Sequence, residues 1–221
     1  AMGQLTDGLL HLFSHDAAAV RELRNRGLSL VNRVTPLKRW LTARAIDACA
    51  AAVLDTRAGG VIALESQAMK RGHAEALMPL IARVRKASGV AFAALDRIAA
   101  TTGPGSFTGL RVGLSAARGI ALAAGKPVVG VTTLTAFAAP IVSENGGPHP
   151  VIAAIDARHD HVYFQVVGGD GIALIKPKVR PIAEALDVAR FGAAYLVGNA
   201  AKIVADRWPA DAAPPVKIDQ Q

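Results

Sequence analysis

The sequence predicts an α/β protein of two lobes, and three observations carry that reading. Short apolar runs alternate with longer stretches of helical periodicity from residue 50 to residue 207. A strand hairpin followed by alternating helices and strands occurs twice, which suits a duplicated α/β architecture. The 221 residues, 52% of them hydrophobic, are enough for one large or two small domains with a buried core.

In the first unit, residues 50–55 and 61–66 read as a hairpin that turns at 57–60. Residues 73–87 form an amphipathic helix with Leu77, Leu80, Ile81 and Val84 on one side. A strand at 96–101 leads into a helix at 106–124, then a buried strand at 127–131 and a helix at 132–142. A new unit begins near Pro148, after Glu144, Asn145, Gly146 and Gly147. It holds strands at 151–156 and 161–167, a turn at 168–171 and a further strand through Ile175. A helix at 182–190, a strand at 194–198 and a helix at 200–207 close it.

The most informative stretch is TTGPGSFTGLR at 101–111, running into a small-residue helix at 112–124. Gly103, Gly105 and Gly109 permit positive φ and close approach of another chain or ligand, and Pro104 stiffens the turn. Ser106 or Thr108 can cap the helix. Gly109, Gly113, Ala117, Ala121 and Gly125 recur at every fourth position, near one face, so another element can come unusually close. Such a face serves either a partner interface or packing within the lobe, and the spacing supports both. Amides at a helix N-terminus also make an anion or nucleotide contact, here through Gly103, Gly105, Ser106 and Thr108. The specific patterns are missing. Leu110 and Arg111 follow Gly109 where a phosphate loop needs Lys and a hydroxyl, and Thr108 stands where a dinucleotide loop needs glycine. Pro104 and Thr108 flank Ser106 where a nucleophile elbow needs glycines.

As a block, GPGSFTGLR followed by VGLSAARGIALAAGKPVVGVTTLTAFA resembles the bacterial TsaB (YeaZ) family, relatives of the TsaD proteins that act in making threonylcarbamoyladenosine in tRNA. The likeness extends to DACAAAVL at 47–54, RGHAEALMPL at 71–80, IDAR at 155–158 and Val162 with Tyr163, covering about residues 45 to 200. The resemblance implies an actin-like (ribonuclease H-like, ASKHA) fold of duplicated lobes, residues 45–147 forming the first and 148–221 the second. It implies a noncatalytic partner subunit that binds and stabilises a TsaD-like protein, which holds the metal and does the chemistry beside a TsaE-like ATPase. The partner interface then falls at Gly109, Arg111, Gly113, Ala117 and Ala121. The chain pairs with itself when alone, meets tRNA only indirectly, and works in the cytoplasm. It needs no cofactor of its own, because the partner complex uses the ATP. Two other readings stay open: an independent nucleotide-dependent transferase or glycoprotease-type peptidase, and a homodimeric RNA-binding module.

Both ends depart from the family. Its first strand ends in an Asp-Thr-Ser-like turn, and the expected aspartate falls at Ala43. A carboxylate there serves metal-bound phosphate in actin-like proteins, so its loss weakens any case for ATP chemistry. Residues 1–44 match nothing in the family and carry seven Lys/Arg against three Asp/Glu, half of the chain's net charge of +8. Their composition reads as a loose, unordered arm. The competing reading is that residues 27–34, with Leu28, Leu30 and Val34, replace the family's first strand. At the other end, the sequence stops at Gln221 where the family continues with a helix and strand, so the second lobe is expected to be incomplete.

Composition and single residues add exclusions. No run of 18 apolar residues exists, so no membrane span is expected, and no secretory signal is seen. The one cysteine, Cys49, excludes an internal disulfide and reads as a buried small hydrophobe. The basic clusters Arg83, Arg85, Lys86 and Lys176, Lys178, Arg180 are not interleaved with aromatics, so no stacking platform for single-stranded RNA is evident. TsaD-like relatives bind metal through two histidines four apart, and here Leu77 follows His73 at that spacing. His159 and His161 read as surface residues beside a hairpin, and Glu75 as an acid that complements a helix start. No catalytic residue and no metal site is predicted.

Overall fold

The computed structural model describes residues 48–219 apart from Thr56, Ala58, Gly59, Lys70 and Gly146. The readings of residues 1–44, including Ala43 and the 27–34 strand, lie outside the described residues.

Strands β1 (Ala48–Asp55) and β2 (Gly60–Ala68) pair antiparallel, Ala48 opposite Ala68 and Asp55 opposite Gly60. Helix α1 (His73–Ser88) lays Leu77, Leu80 and Val84 over this hairpin, where they pack with Cys49. The i, i+3, i+7 spacing of the three places them in one stripe. The helix stops at Gly89, whose φ of 68° lets its N–H reach back to the carbonyls of Arg85 and Lys86. β3 (Ile98–Thr101) and β4 (Val128–Val131) are parallel, and α2 (Phe107–Ala124) is the crossover between them. α3 (Thr133–Asn145) follows.

The second sheet has five strands in the order β7, β6, β5, β8, β9: β5 (Val151–Arg158), β6 (His161–Val167), β7 (Ala173–Pro181), β8 (Tyr195–Val197) and β9 (Lys217–Asp219). β5 is central, antiparallel to β6 and parallel to β8. On one of its faces Val151, Ala153 and Ile155 meet Leu134, Phe137 and Ile141 of α3. On the other, Ile152 and Ala154 meet Ile182, Val188 and Val204 from the segments that carry α4 (Ile182–Ala185) and α5 (Ala201–Asp206). A strand covered on both faces needs apolar residues at consecutive positions, which VIAAI supplies. Buried Thr135 of α3 donates its hydroxyl to Gln165 of β6 at 3.1 Å, so the helix assigned by sequence to the first unit is bonded to the second sheet.

The described residues of the first lobe repeat part of this plan. Its described strands form two separate two-stranded pieces, β1 with β2 and β3 with β4. β1 and β2 take the places of β6 and β7, and β3 and β4 those of β8 and β9. No described strand takes the place of β5.

Candidate functional site at the start of helix α2

The glycine-rich loop leaves β3 at Thr101 and enters α2 at Phe107. Its backbone is pinned at both ends: the Thr102 N–H donates to the Val131 carbonyl, and the Gly103 carbonyl accepts from the Thr133 N–H, both at 2.9 Å. Gly103 has φ 98°, a left-handed backbone that favours glycine, and a Cβ there would press on the Leu110 Cδ1 side-chain end at 2.9 Å. Ser106 is the cap, its Oγ accepting from the Gly109 N–H at 3.3 Å, and Thr108 is already inside the helix. Gly105, Ser106 and Thr108 are exposed and Gly103 is buried.

The five small residues of α2 do not share one outer face. A Cβ on Gly109 would lie 3.8 Å from the His73 ring of α1, while Ala117 and Ala121 are buried at 6% and 5% exposure. Gly125 is the left-handed residue that ends the helix. Gly113 lines a small cavity with Cys49 of β1 and Leu77 of α1, and a Cβ there would meet nothing within 4 Å. Of the repeat, Ala117 and Ala121 are the two packed into the lobe, where their small size lets the helix sit close. Arg111 stands apart from them. It is exposed, and its guanidinium lies 3.7 Å from the centroid of the Phe107 ring.

The outer face of α2 carries a second stripe, which periodicity had not singled out: Phe107, Arg111, Ser115, Arg118 and Leu122 are all exposed, three or four positions apart. Phe107 and Leu122, at 68% and 87% exposure, lie about 22 Å apart along the helix. The signal was present in the sequence as large apolar residues flanking two arginines, but the small-residue repeat on the opposite side hid it.

The other candidates are dispersed. His159 and His161 lie on the exposed β5–β6 turn, where Arg158, His159 and Asp160 all have positive φ. His161 Nδ1 is 2.7 Å from the His159 carbonyl, and Asp160 pairs with Arg207 at 3.0 Å. Asp156 accepts from the Arg158 N–H at 2.7 Å, and its own N–H donates to the Asn199 side chain at 2.9 Å. Glu75 lies in the first turn of α1. Among the described residues no group of three His, Cys, Asp or Glu is placed to hold a metal. Burial pushes the Cys49 thiol up, which suppresses its nucleophilicity.

Two α/β lobes, the second with a five-stranded mixed sheet under helices on both faces, define an actin-like fold of the ASKHA type. Residues 49–203 match the family model "TsaD: tRNA N6-adenosine threonylcarbamoyltransferase". Over 120 residues the chain is 35% identical to the "tRNA threonylcarbamoyladenosine biosynthesis protein TsaB" of Escherichia coli, covering 54% of this chain and 50% of that protein. It is 40% identical over 98 residues to the Haemophilus influenzae protein of the same name, covering 44% and 41%. The solved structure "YeaZ from Pseudomonas aeruginosa" superimposes with a TM-score of 0.63 at 30% identity, covering 79% of this chain and 80% of that one. The chain belongs to the TsaB/YeaZ family, within the wider group that the TsaD model describes. It spans about half the length of the curated relatives it matches.

Proposed function

We propose that this chain is a noncatalytic partner subunit in the making of threonylcarbamoyladenosine in tRNA, where it binds and stabilises a TsaD-like protein while a TsaE-like ATPase uses the ATP. Family membership supports the pathway. The observation that carries the partner role is the outer face of α2, where two large exposed apolar side chains bracket two arginines on a helix of 18 residues. Exposed apolar residues aligned on one rigid element suit association more than solvation. A TsaD-like protein has the same fold by family, so its corresponding helix can meet this one about a local twofold axis. The same geometry makes the face self-complementary, which gives a homodimer when the partner is absent. Gly109, Gly113, Ala117 and Ala121 act in this scheme by seating α2 closely in its lobe, and Arg111 by direct contact. Gly103, Gly105, Ser106 and Thr108 remain the contacts for an anion or nucleotide, with no metal and no resident cofactor proposed. The protein works in the cytoplasm on this reading. Among the described residues no helix is long and apolar enough to cross a membrane.

Sedimentation of the chain with a TsaD-like protein tests the interface. Phe107→Asp combined with Leu122→Asp is expected to weaken both the mixed and the self pairing at least tenfold, about 1.4 kcal/mol, while leaving the melting transition in place. Unchanged association by a folded double variant would overturn the assignment.

A further inference from the structure

The exposed stripe of α2 is nearly symmetric about its own centre. At about 100° per residue, Phe107, Arg111, Arg118 and Leu122 fall within about 60° of one another around the helix axis. The midpoint between Phe107 and Leu122 is the peptide joining Leu114 to Ser115, and so is the midpoint between Arg111 and Arg118. A twofold axis through that point, perpendicular to the helix, runs a second copy of α2 antiparallel to the first. Phe107 then meets Leu122 of the second copy, and Arg111 meets its Arg118. The two contacts differ in kind. The apolar one covers side chains that are 68% and 87% exposed in the single chain. The charged one gathers the guanidiniums of both copies at the centre of the face. α2 contains no Asp or Glu, and among the described residues neither Arg111 nor Arg118 forms an ion pair. Arg111 is also held in place, its guanidinium 3.7 Å from the Phe107 ring centroid. Like charges set opposite one another across an interface cost affinity, and unlike charges favour the right partner.

On the reading that α2 is the partner interface, we propose that this face is matched to an acidic helix, one with a carboxylate opposite each of Arg111 and Arg118 and apolar residues opposite Phe107 and Leu122. The same two arginines discriminate against self-pairing. A homodimer forms through its apolar ends against repulsion at its centre, whereas the mixed pair gains attraction at both. The face therefore favours a TsaD-like partner whose helix is acidic at its middle, and a second copy of this chain is the weaker occupant.

Sedimentation of the full chain, alone and with a TsaD-like protein, tests this through salt and charge reversal. The Debye length falls from about 10 Å at 0.1 M salt to about 3 Å at 1 M, so self-pairing is expected to tighten over that range and mixed pairing to weaken. Arg111→Glu sets a carboxylate opposite Arg118 of the second copy at both ends of the twofold, so self-pairing should tighten at least about tenfold and mixed pairing loosen by a similar factor. Arg118→Glu, which leaves the contact of Arg111 with Phe107 in place, should do the same. The double reversal returns like charges to the centre, so self-pairing should fall back to the native level or below while mixed pairing weakens further. General damage to the helix surface cannot raise self-association in each single variant and lower it in the double. Reversals that move both pairings in the same direction would overturn the proposal. So would reversals that leave both pairings unchanged and weaken binding of a tRNA transcript, since the arginines would then be phosphate contacts. If the Phe107→Asp, Leu122→Asp variant pairs as the native chain does, α2 is not the interface and the reading beneath the proposal falls with it. If that variant loses pairing while the reversals fail to separate the self pair from the mixed pair, the interface stands and the acidic match is wrong.

Discussion

At Gly198 the backbone of the second lobe leaves no room for a side chain. Its φ is 107°, and a Cβ would stand 2.2 Å from the Ala154 carbonyl oxygen, which also accepts from the Ala200 N–H at 3.3 Å. Gly198→Ala is expected to cost about 3 kcal/mol or more, read as a fall in the urea midpoint, since the φ strain alone costs 1–3 kcal/mol and the clash adds to it. Glu65 of β2 and Arg83 of α1 make the exposed ion pair that ties the hairpin to its helix, Arg83 Nε lying 3.0 Å from both carboxylate oxygens. The Arg83 hydrogen bonds hold the Glu65 carboxyl below its ordinary value. A group with a lowered folded value contributes stability above its unfolded value, about pH 4.3, and loses it as pH falls through the folded one. The difference in melting temperature between the native chain and Glu65→Gln should therefore be small at pH 7, as expected for a surface pair, and disappear once acid protonates the Glu65 carboxyl in the folded chain. A difference that grew with acid would contradict the assignment. Neither residue contact was legible in the sequence, because Glu65 and Arg83 are 18 positions apart and Gly198 matters through a carbonyl on another strand.

The strong periodicities survive at the scale of elements. The hairpin, the helix at 73–88, the helix capped by Ser106 and the strand 161–167 fall where the sequence predicts them, to within a residue or two, because each carries its own start or stop signal. The weak ones shift. The stretch read as a helix at 182–190 is one α-helical turn, Ile182–Ala185, followed by a 3₁₀ segment, Leu186–Phe191, too short for its period to be counted. β9 was not anticipated: it is three residues after Pro214 and Pro215, and its pairing with β8 is a tertiary fact. The small-residue repeat of α2 was legible as a close-packing face, but which side it turned to was not, since spacing carries no information about the neighbour. Ser106→Ala is expected to lower stability by about 1 kcal/mol through the loss of the cap. A denaturation midpoint that does not move would show that the Gly109 N–H finds another acceptor.

For the whole molecule, the two lobes share one plan of strands and covering helices. The second sheet places β5 at its centre between β6 and β8. The actin-like class was legible from the glycine-rich block and the repeated order of elements. The outer face of α2 was not, because exposure of Phe107 and Leu122 depends on how the helix is seated. The same whole-molecule view bears on ATP. The glycine-rich loop carries no phosphate-loop lysine, so the isolated chain is expected to show no magnesium-dependent ATP hydrolysis above background. Turnover that disappears in Gly105→Ala would instead make the chain an enzyme in its own right.

The partner role is tested most directly inside a cell. In bacteria depleted of their own TsaB, the threonylcarbamoyladenosine content of tRNA, measured by mass spectrometry, should be restored by this chain and not by the Phe107→Asp, Leu122→Asp variant at equal abundance. Restoration by both chains alike would contradict the account of the α2 face, and failure of the folded native chain to restore the modification would contradict the function itself.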